Sequence, residues 1–487
     1  MLWSAQTSAA ADAYTMDVLG MSSAVLMERA SLSVADEVQR RAGAYAVACL
    51  VGPGNNGADA LAVARICRAR GLEVAAYLVT PHRNDAAQAQ LALARSHGVR
   101  IVEGVSAAPD EAVWVDGLLG TGAHGAPRGA VAQTLGRSFV GPSVAIDVPS
   151  GVDVDTGCVP GPAFRADVTV TFVRSKPGLH VTPGRDFAGQ VVVADIGIIA
   201  PPKASVAGAL LTAGRVASML AGRAHDPEHK GRRGHVAVLG GSPDTPGAAV
   251  LAGTAAMRAG AGLCTLVGPP APSHRPELMR ASLSSPVVPG ASVLVVGPGL
   301  TDPPAAPFLE TLYADDPRPA VWDASALDSV PVDSASAGPR VITPHPGEAA
   351  RMLGRIDADR GWSAAMVQRQ RLRAAQTLAE ATGAVVVLKG AGTLVVGPAG
   401  VAVALEGTAA LATAGSGDVL AGCIAGLLAQ GLDAGAAAGA GVSVHGRSGT
   451  LAGPMPLALE IADALPVALQ ALSRGEPGPR EPVARRG

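Results

Sequence analysis

One feature constrains this chain more than any other. Brief apolar runs ending in Gly, Pro, Asp or Ser alternate with longer stretches of helical spacing along most of its length. A parallel strand needs a long crossover to return, so this alternation predicts parallel sheets covered by helices on both faces. In the first half the strand runs are residues 45–51, 73–79, 112–115, 143–146 and 167–173; in the second they are 235–239, 263–267, 293–296, 320–323, 340–343 and 385–388. Ser22 and Ser23 can cap a helix carrying Leu26, Ala30, Val34 and Val38, and Gly71 falls where the helix from about Asn56 must stop. The periodic signal weakens between Ile199 and Arg223. The expected division is therefore a domain over residues 1–199, a linker over 200–223, a second domain over 224–474 and a disordered tail over 475–487. The halves share no fixed-period repeat, so they read as two different α/β domains.

Composition narrows the function. Of 487 residues, 48% are apolar and 16% charged, enough apolar side chains for two or three packed domains and too few charges for a disordered polyampholyte. The 38 basic and 40 acidic residues leave a net charge of -2, which points away from nucleic acid and charged membranes and toward a small ligand. The five cysteines form no C-x-x-C pair, so a reducing compartment is expected. The N-terminal residues lack a basic segment and carry Asp12 where a secretory signal would be apolar, which predicts a cytoplasmic enzyme. Residues 281–301 are long and uncharged, but Pro286, Pro289 and Pro298 interrupt them, giving a loop followed by a strand. Self-association is left open.

In the second half, TAGSGDVLAG (residues 413–422) places small residues before an apolar helical run beginning near Val419. Gly415, Ser416 and Gly417 suit a phosphate cradle at a helix N-terminus, and Asp418 beside them suits a base kept ionised by the helix dipole. Taken alone, Asp418 is equally well read as a simple helix-terminal charge. Upstream, VLKGAGT (residues 387–393) holds Lys389 in a glycine-rich turn, and only four of the chain's basic residues are lysines. HKGRRGHVAVLGGSPDTPGA (229–248), VVGPGL (295–300) and ITPHPGE (342–348) each put Gly or Pro at a strand's end, where open α/β sheets bind ligands. His345, between two prolines, is either a substrate contact or a helix-start structural residue.

Together these motifs make residues 207–473 similar to the ADP- or ATP-dependent NAD(P)H-hydrate dehydratase family, whose fold is ribokinase-like. HKG..G with GGS, GPGL, TPH.GE, KG..T and AGSGD occur in the family's order, with Thr301 after GPGL and GTAALATAGSGD where the family has Gly-Asn-Pro. The resemblance implies nucleotide contacts at Lys389, Gly390, Ala391, Gly392, Thr393 and Gly417. It implies hydrate contacts at Ala248, Gly299, His345 and Asp418, with Mg²⁺ accompanying ADP or ATP. Asp418 would take the proton from the hydrate's hydroxyl as it is phosphorylated, and phosphate would then leave.

In the first half, VGPGNNGADALAVAR (51–65) ends a strand and opens a helix, and VDGLLGTGAHGAPRG (115–129) and AIDVPSGVD (145–153) place acidic residues at strand ends. Asn56, Asp116 and Asp147 are thereby expected at one crevice, with oxygen donors suited to an alkali or alkaline-earth ion and not to zinc. This half, over residues 5–199, resembles the NAD(P)H-hydrate epimerase family, a Rossmann-like fold. The resemblance implies potassium at Asn56, Asp116 and Ser150. It implies hydrate contacts at Asn55, Asn56, Gly57, Ala58, Asp59, at Gly120, Thr121, Gly122, Ala123, His124, Gly125, Ala126, and at Asp147, the acid/base residue; Lys176 is a further substrate partner. The chain reads NNGADA where the family has NNGGDG, and a Cβ at Ala58 disfavours a positive φ there.

Both resemblances in one chain imply repair of a nicotinamide cofactor hydrated across a ring double bond. The first domain would interconvert the R and S hydrates and the second would dehydrate the S form. Two alternatives remain at this point: a ribokinase-like kinase for a vitamin alcohol, whose product keeps the phosphate, and a protein whose first domain binds nucleotide without catalysis.

Overall fold

The computed structural model describes every residue except 224–232, 269–274, 283–287, 289, 302–305, 334 and 487. The HKG stretch at His229 and the proline-rich part of residues 281–301 therefore lie largely outside the described residues. The chain forms two compact units, Met1–Ala209 with Arg480–Gly487, and Leu210–Pro479.

The first unit is built on β1 (Val47–Val51), β2 (Val74–Leu78), β3 (Arg100–Glu103), β4 (Val113–Gly117), β5 (Ser143–Ile146), β6 (Val168–Phe172) and β7 (Gln190–Asp195). The C-terminal strand Val483–Arg486 completes an eight-stranded sheet, which runs from it through β7, β6, β5, β4, β1, β2 to β3. Every pairing is parallel. β1, β4 and β5 are buried along their whole length, as continuous apolar runs inside a two-faced sheet should be. From β1 the chain winds outward to β2 and β3, then returns to lay β4 on β1's other side. The β1/β4 junction is thus the sheet's switch point. Ser22 caps the helix Ser23–Ala42, whose Leu26, Ala30, Val34 and Val38 face the core, and Gly71, at φ +88°, follows the cap of Asn55–Ala69.

The second unit carries β8 (Ala209–Leu211), β9 (His235–Leu239), β10 (Leu263–Val267), β11 (Met279–Ala281), β12 (Val293–Val296), β13 (Ala320–Trp322), β14 (Arg340–Ile342), β15 (Val385–Leu388), β16 (Leu394–Gly397) and β17 (Gly400–Ala404). Its order is β11-β10-β9-β12-β13-β14-β15-β16-β17-β8, parallel from β11 to β15 and antiparallel at β16 and β17. The helices Ser416–Ala429 and Ala434–Leu451 are buried along most of their length among small side chains. At Gly422 a Cβ would lie 2.0 Å from the Ala252 carbonyl oxygen, so only glycine permits that helix approach.

The structure departs from the sequence expectations in several places: β7, β11, β16 and β17 are not among the expected strands, and β16 and β17 run antiparallel where parallel sheets are expected. The tail is not wholly disordered, since Val483–Arg486 pairs with β7 from Val483 opposite Val192 to Arg486 opposite Asp195. Main-chain hydrogen bonding to a sheet edge needs no apolar composition, so a polar segment gave no sign of it. Residues 200–223 are not only connective: Ala209–Leu211 is a strand and Thr212 caps the helix Ala213–Leu220, which buries Val216 and Leu220. β3 went unrecognised because RIVE has two charged ends and a half-exposed centre.

Candidate active sites

In the first unit, the turn after β1 holds the site's entrance. A Cβ on Gly57 would lie 2.1 Å from Gly52 O and one on Gly52 1.9 Å from Leu118 O, so the β1 turn, the following helix and the β4 turn pack backbone to backbone. Ala58 and Ala60 sit inside the helix Asn55–Ala69 with no exposed surface, and Ala58 is not among the positive-φ residues. The expected conflict at NNGADA therefore disappears, since alanine is the better helix former there.

Asn56 Nδ2 donates to Leu119 O at 2.8 Å and to Ile146 O at 3.2 Å. Asp116 is fully buried; its carboxyl accepts from Ser150 Oγ at 2.6 Å, Ser150 N at 2.7 Å and Leu118 N at 3.2 Å. Burial pushes that carboxyl up to about 6 despite these hydrogen bonds, all from neutral donors. Asn56, Asp116 and Ser150 are thus gathered around Leu119, as expected. This buried acid has no cationic partner among the described residues, and the Ser150 hydroxyl beside it and the Leu119 carbonyl beyond are hard oxygen donors that could hold a cation.

Beside them opens a cavity of about 600 Å³, lined by Asn55, Asn56, Asp59, Gly120, Thr121, Gly122, Ala123, Asp147 and Lys176. Gly57, Ala58, His124, Gly125 and Ala126 do not line it. Asp147, just past β5, has φ +64°, and Val173, just past β6, has φ +66°; such backbone strain costs on the order of 1 kcal/mol or more and is kept where a site needs it. Lys176, expected to pair with the substrate, lines the cavity and also holds Asp147. Its buried Nζ donates to Asp147 Oδ1 at 2.6 Å, to Thr171 Oγ1 at 2.8 Å and to Phe172 O at 3.2 Å. Asp12, from the helix Ala5–Ala13, also lines this cavity, and no motif announced it.

In the second unit, the carboxyl ends of β9, β12, β13, β14 and β15 gather the remaining residues. Gly299 has φ +66°, and a Cβ there would meet Ala248 Cβ at 2.8 Å, so these two expected contacts adjoin. Gly415, at φ +84°, is the N-cap of Ser416–Ala429, which places Gly417 and Asp418 in the helix's first turn. Lys389 Nζ donates to Asp323 Oδ1 at 2.7 Å and lies 3.6 Å from Glu348 Oε2. A Cβ on Gly417 would come 3.4 Å from Lys389 Nζ and 3.7 Å from Asp323 Oδ2, so Gly417 belongs to the same cluster.

Burial works against the charge on Lys389, but Asp323, Glu348 and Asp418 raise its pKa overall. Asp418 was expected to be held ionised by the helix dipole. Instead burial and then Asp323 push its carboxyl up to about 7, with Lys389 pulling the other way. A carboxyl poised there is a stronger base at neutral pH than an ordinary one.

His345 is the N-cap of Pro346–Ile356: its Nδ1 accepts from Gly347 N at 3.0 Å and Glu348 N at 3.3 Å. These bonds assign the neutral ring's proton to Nε2, which is half-exposed and lies 3.4 Å from Glu348 Oε1. In the KG..T turn, Gly390 and Gly392 take φ of +132° and +64°, Thr393 Oγ1 donates to Gly390 O, and Ala391 is exposed between them. Buried Arg371 backs this turn, donating to Leu388 O at 3.1 Å and Lys389 O at 3.2 Å. Sequence reasoning missed Asp323 and Arg371. Asp323 ends a recognised strand run and was legible by that position, whereas Arg371 is one arginine among many.

Two parallel-sheet units, one with a strained carboxylate cavity at its switch point and one with a lysine–carboxylate cluster at a helix N-terminus, define a two-site α/β enzyme. Family profiles described as "YjeF-related protein N-terminus" and "NAD(P)H-hydrate dehydratase" match residues 23–178 and 236–463. The bifunctional NAD(P)H-hydrate repair enzyme Nnr of Moorella thermoacetica is 39% identical over 479 residues, covering 88% of each chain. That of Escherichia coli is 36% identical over 471 residues, covering 92% of this chain and 88% of its own. A crystal structure of the ADP/ATP-dependent NAD(P)H-hydrate dehydratase of Bacillus subtilis, co-crystallised with ATP and Mg²⁺, is 29% identical, with a TM-score of 0.48 covering 55% of this chain and all of that one. The chain belongs to the bifunctional NAD(P)H-hydrate repair enzyme family. No helix among the described residues is long and apolar enough to cross a membrane.

Proposed function

We propose that the chain repairs hydrated NADH or NADPH in two steps, with an epimerase in residues 1–199 and an ADP- or ATP-dependent S-hydrate dehydratase in residues 224–474. The observation that carries the second step is Asp418, raised to about 7 in a helix first turn beside Lys389 and Gly417. Asp418 accepts the proton of the hydrate's C6 hydroxyl as that oxygen attacks the nucleotide's terminal phosphorus. The N1 lone pair then expels phosphate to give a C6=N1 iminium ion, and loss of a C5 proton to solvent returns that electron pair to N1 as the C5=C6 double bond re-forms. Ala248, Gly299 and His345, through Nε2–H, hold the hydrate, and Lys389, Gly390, Ala391, Gly392, Thr393 and Gly417 hold the nucleotide. Asp323 Oδ2 and the Asp418 carboxyl are hard oxygen donors that suit Mg²⁺, which would neutralise phosphate charge during transfer.

In the first unit, Asp147 handles protons while Asn55, Asn56, Gly57, Ala58, Asp59 and the Gly120–Ala126 segment frame the hydrate; of these, Gly57, Ala58, His124, Gly125 and Ala126 act only by shaping the loops. Asn56, Asp116 and Ser150 fit a potassium ion, which would fix the Gly120 turn. The place of action is the cytoplasm, and the substrates are small molecules.

The test incubates pure S-hydrate with ADP or with ATP and measures inorganic phosphate against NADH restored. One phosphate released per NADH supports the reading. A phosphorylated product that keeps its phosphate would make the second unit a small-molecule kinase instead.

A further inference from the structure

An enzyme that inverts one carbon has to supply a proton to the group leaving one face and remove one from the water arriving on the other. Asp147, ion-paired with Lys176, serves one end of such an exchange. Asp12 lines the same cavity. Its helix is firmly placed. Ser4 caps it by accepting from Thr7 N, Leu2 N donates to Gly208 O at 2.8 Å, Trp3 N to Ser175 O at 3.0 Å, and Ala5 N to Asp155 Oδ1 at 2.8 Å. Ser175 immediately precedes Lys176, so the N-terminal segment is fastened beside the Asp147–Lys176 pair.

Among the described residues nothing hydrogen-bonds or ion-pairs with the Asp12 carboxyl, which is left to meet a ligand. The charged groups acting on it are Asp147 and Lys176. Burial and then Asp147 raise it to about 6, with Lys176 opposing. Asp59 also lines this cavity, and burial first and then Asp147 and Asp12 push its carboxyl up as well. Two carboxyls from separate elements thus reach one cavity, one ion-paired with a lysine and one without a partner among the described residues.

We propose that Asp12 is a second catalytic acid/base of the epimerase site, working with Asp147 on the two faces of the hydrate's C6. This rests on reading the first unit as an epimerase. The Asp12 carboxyl gives its proton to the C6 hydroxyl; the C6–O bond breaks and its electron pair leaves on water, while the N1 lone pair forms the C6=N1 bond of an iminium ion. Water adds to the opposite face of C6, the C=N pair returns to N1, and Asp147 takes the proton of the added water. The reverse direction exchanges the two roles, and solvent resets the pair.

The test follows conversion of R-hydrate by the full-length protein, with the spontaneous rate subtracted and dehydration of S-hydrate measured on the same sample. Asp12→Asn should slow epimerisation at least a hundredfold with S-hydrate turnover unchanged. Asp12→Glu should restore part of the rate and keep the fall in rate as pH rises through about 6. If Asp147→Asn is slow but Asp12→Asn stays within threefold of wild type, the proposal on Asp12 is overturned and the epimerase reading stands. If wild-type protein converts R-hydrate no faster than buffer, the epimerase reading itself is lost. Loss of the first unit's unfolding transition in Asp12→Asn passes the decision to Asp12→Glu, where a wild-type rate with no pH limb near 6 overturns the proposal.

Discussion

Lys389, after β15, and Asp323, after β13, form a 2.7 Å ion pair across the intervening β14, with Thr343 Oγ1 donating to the same carboxylate oxygen at 2.8 Å. The one lysine of the KG..T turn is thereby held beside Gly417 by a carboxylate 66 residues away in sequence. Asp323→Asn removes that anchor and also one of the charges that raise Asp418. S-hydrate dehydration should fall on the order of tenfold or more, and the pH at which it rises should move downward. Steady-state rates across pH check both effects, and R-to-S conversion in the same sample should not change.

Asp418 offers a prediction in which rate and stability move oppositely. As the proposed base it must be ionised, so dehydration should rise with pH through about 7. Its folded pKa lies above the unfolded value of 3.8, so its contribution to stability is present below that value and lost as pH rises through about 7. Asp418→Asn should abolish dehydration. It should raise the second unit's Tm above wild type at about pH 8 and match it at about pH 4. A lower Tm at the alkaline end would contradict the burial argument.

Replacing Lys176 by Met leaves Asp147 half-buried without its cation. Breaking a buried pair from one side costs about 3 kcal/mol, so the first unit should lose that much stability, readable by denaturant titration. Epimerisation should fall with it, while dehydration is kept.

Deleting residues 480–487 removes the strand paired with β7 and uncovers Val192 and Val193 of its edge. The first unit's Tm should drop by several degrees and its tendency to self-associate should rise, both visible in thermal scans and light scattering. An unchanged transition would show that the added strand contributes no stability.

How far the sequence carried this account depended on whether a feature was local. Strands such as 143–146 and 235–239 matched the observed β5 and β9 to the residue because fully buried parallel strands are short, unbroken apolar runs. β3 and the C-terminal strand were invisible, since an exposed edge and a main-chain pairing leave no apolar signature. Asn56, Asp116, Asp147 and Ser150 were legible because each sits in or next to a glycine- or proline-marked strand end. Asp12 was not: it lies in an ordinary alanine-rich helix, and only the fold brings it to the cavity. Asp418 was found by its motif but its proton affinity was misjudged, because burial and Asp323 are tertiary facts that outweigh the helix dipole.

The most direct measurement follows the near-ultraviolet absorbance of reduced nicotinamide after the protein meets an R/S mixture of NADH hydrate with Mg²⁺, K⁺ and either ADP or ATP. NADH should be recovered completely with at least one nucleotide, at a rate above spontaneous epimerisation. Recovery that stops when the S form is spent would contradict the epimerase half, and no recovery with either nucleotide would contradict the repair function altogether.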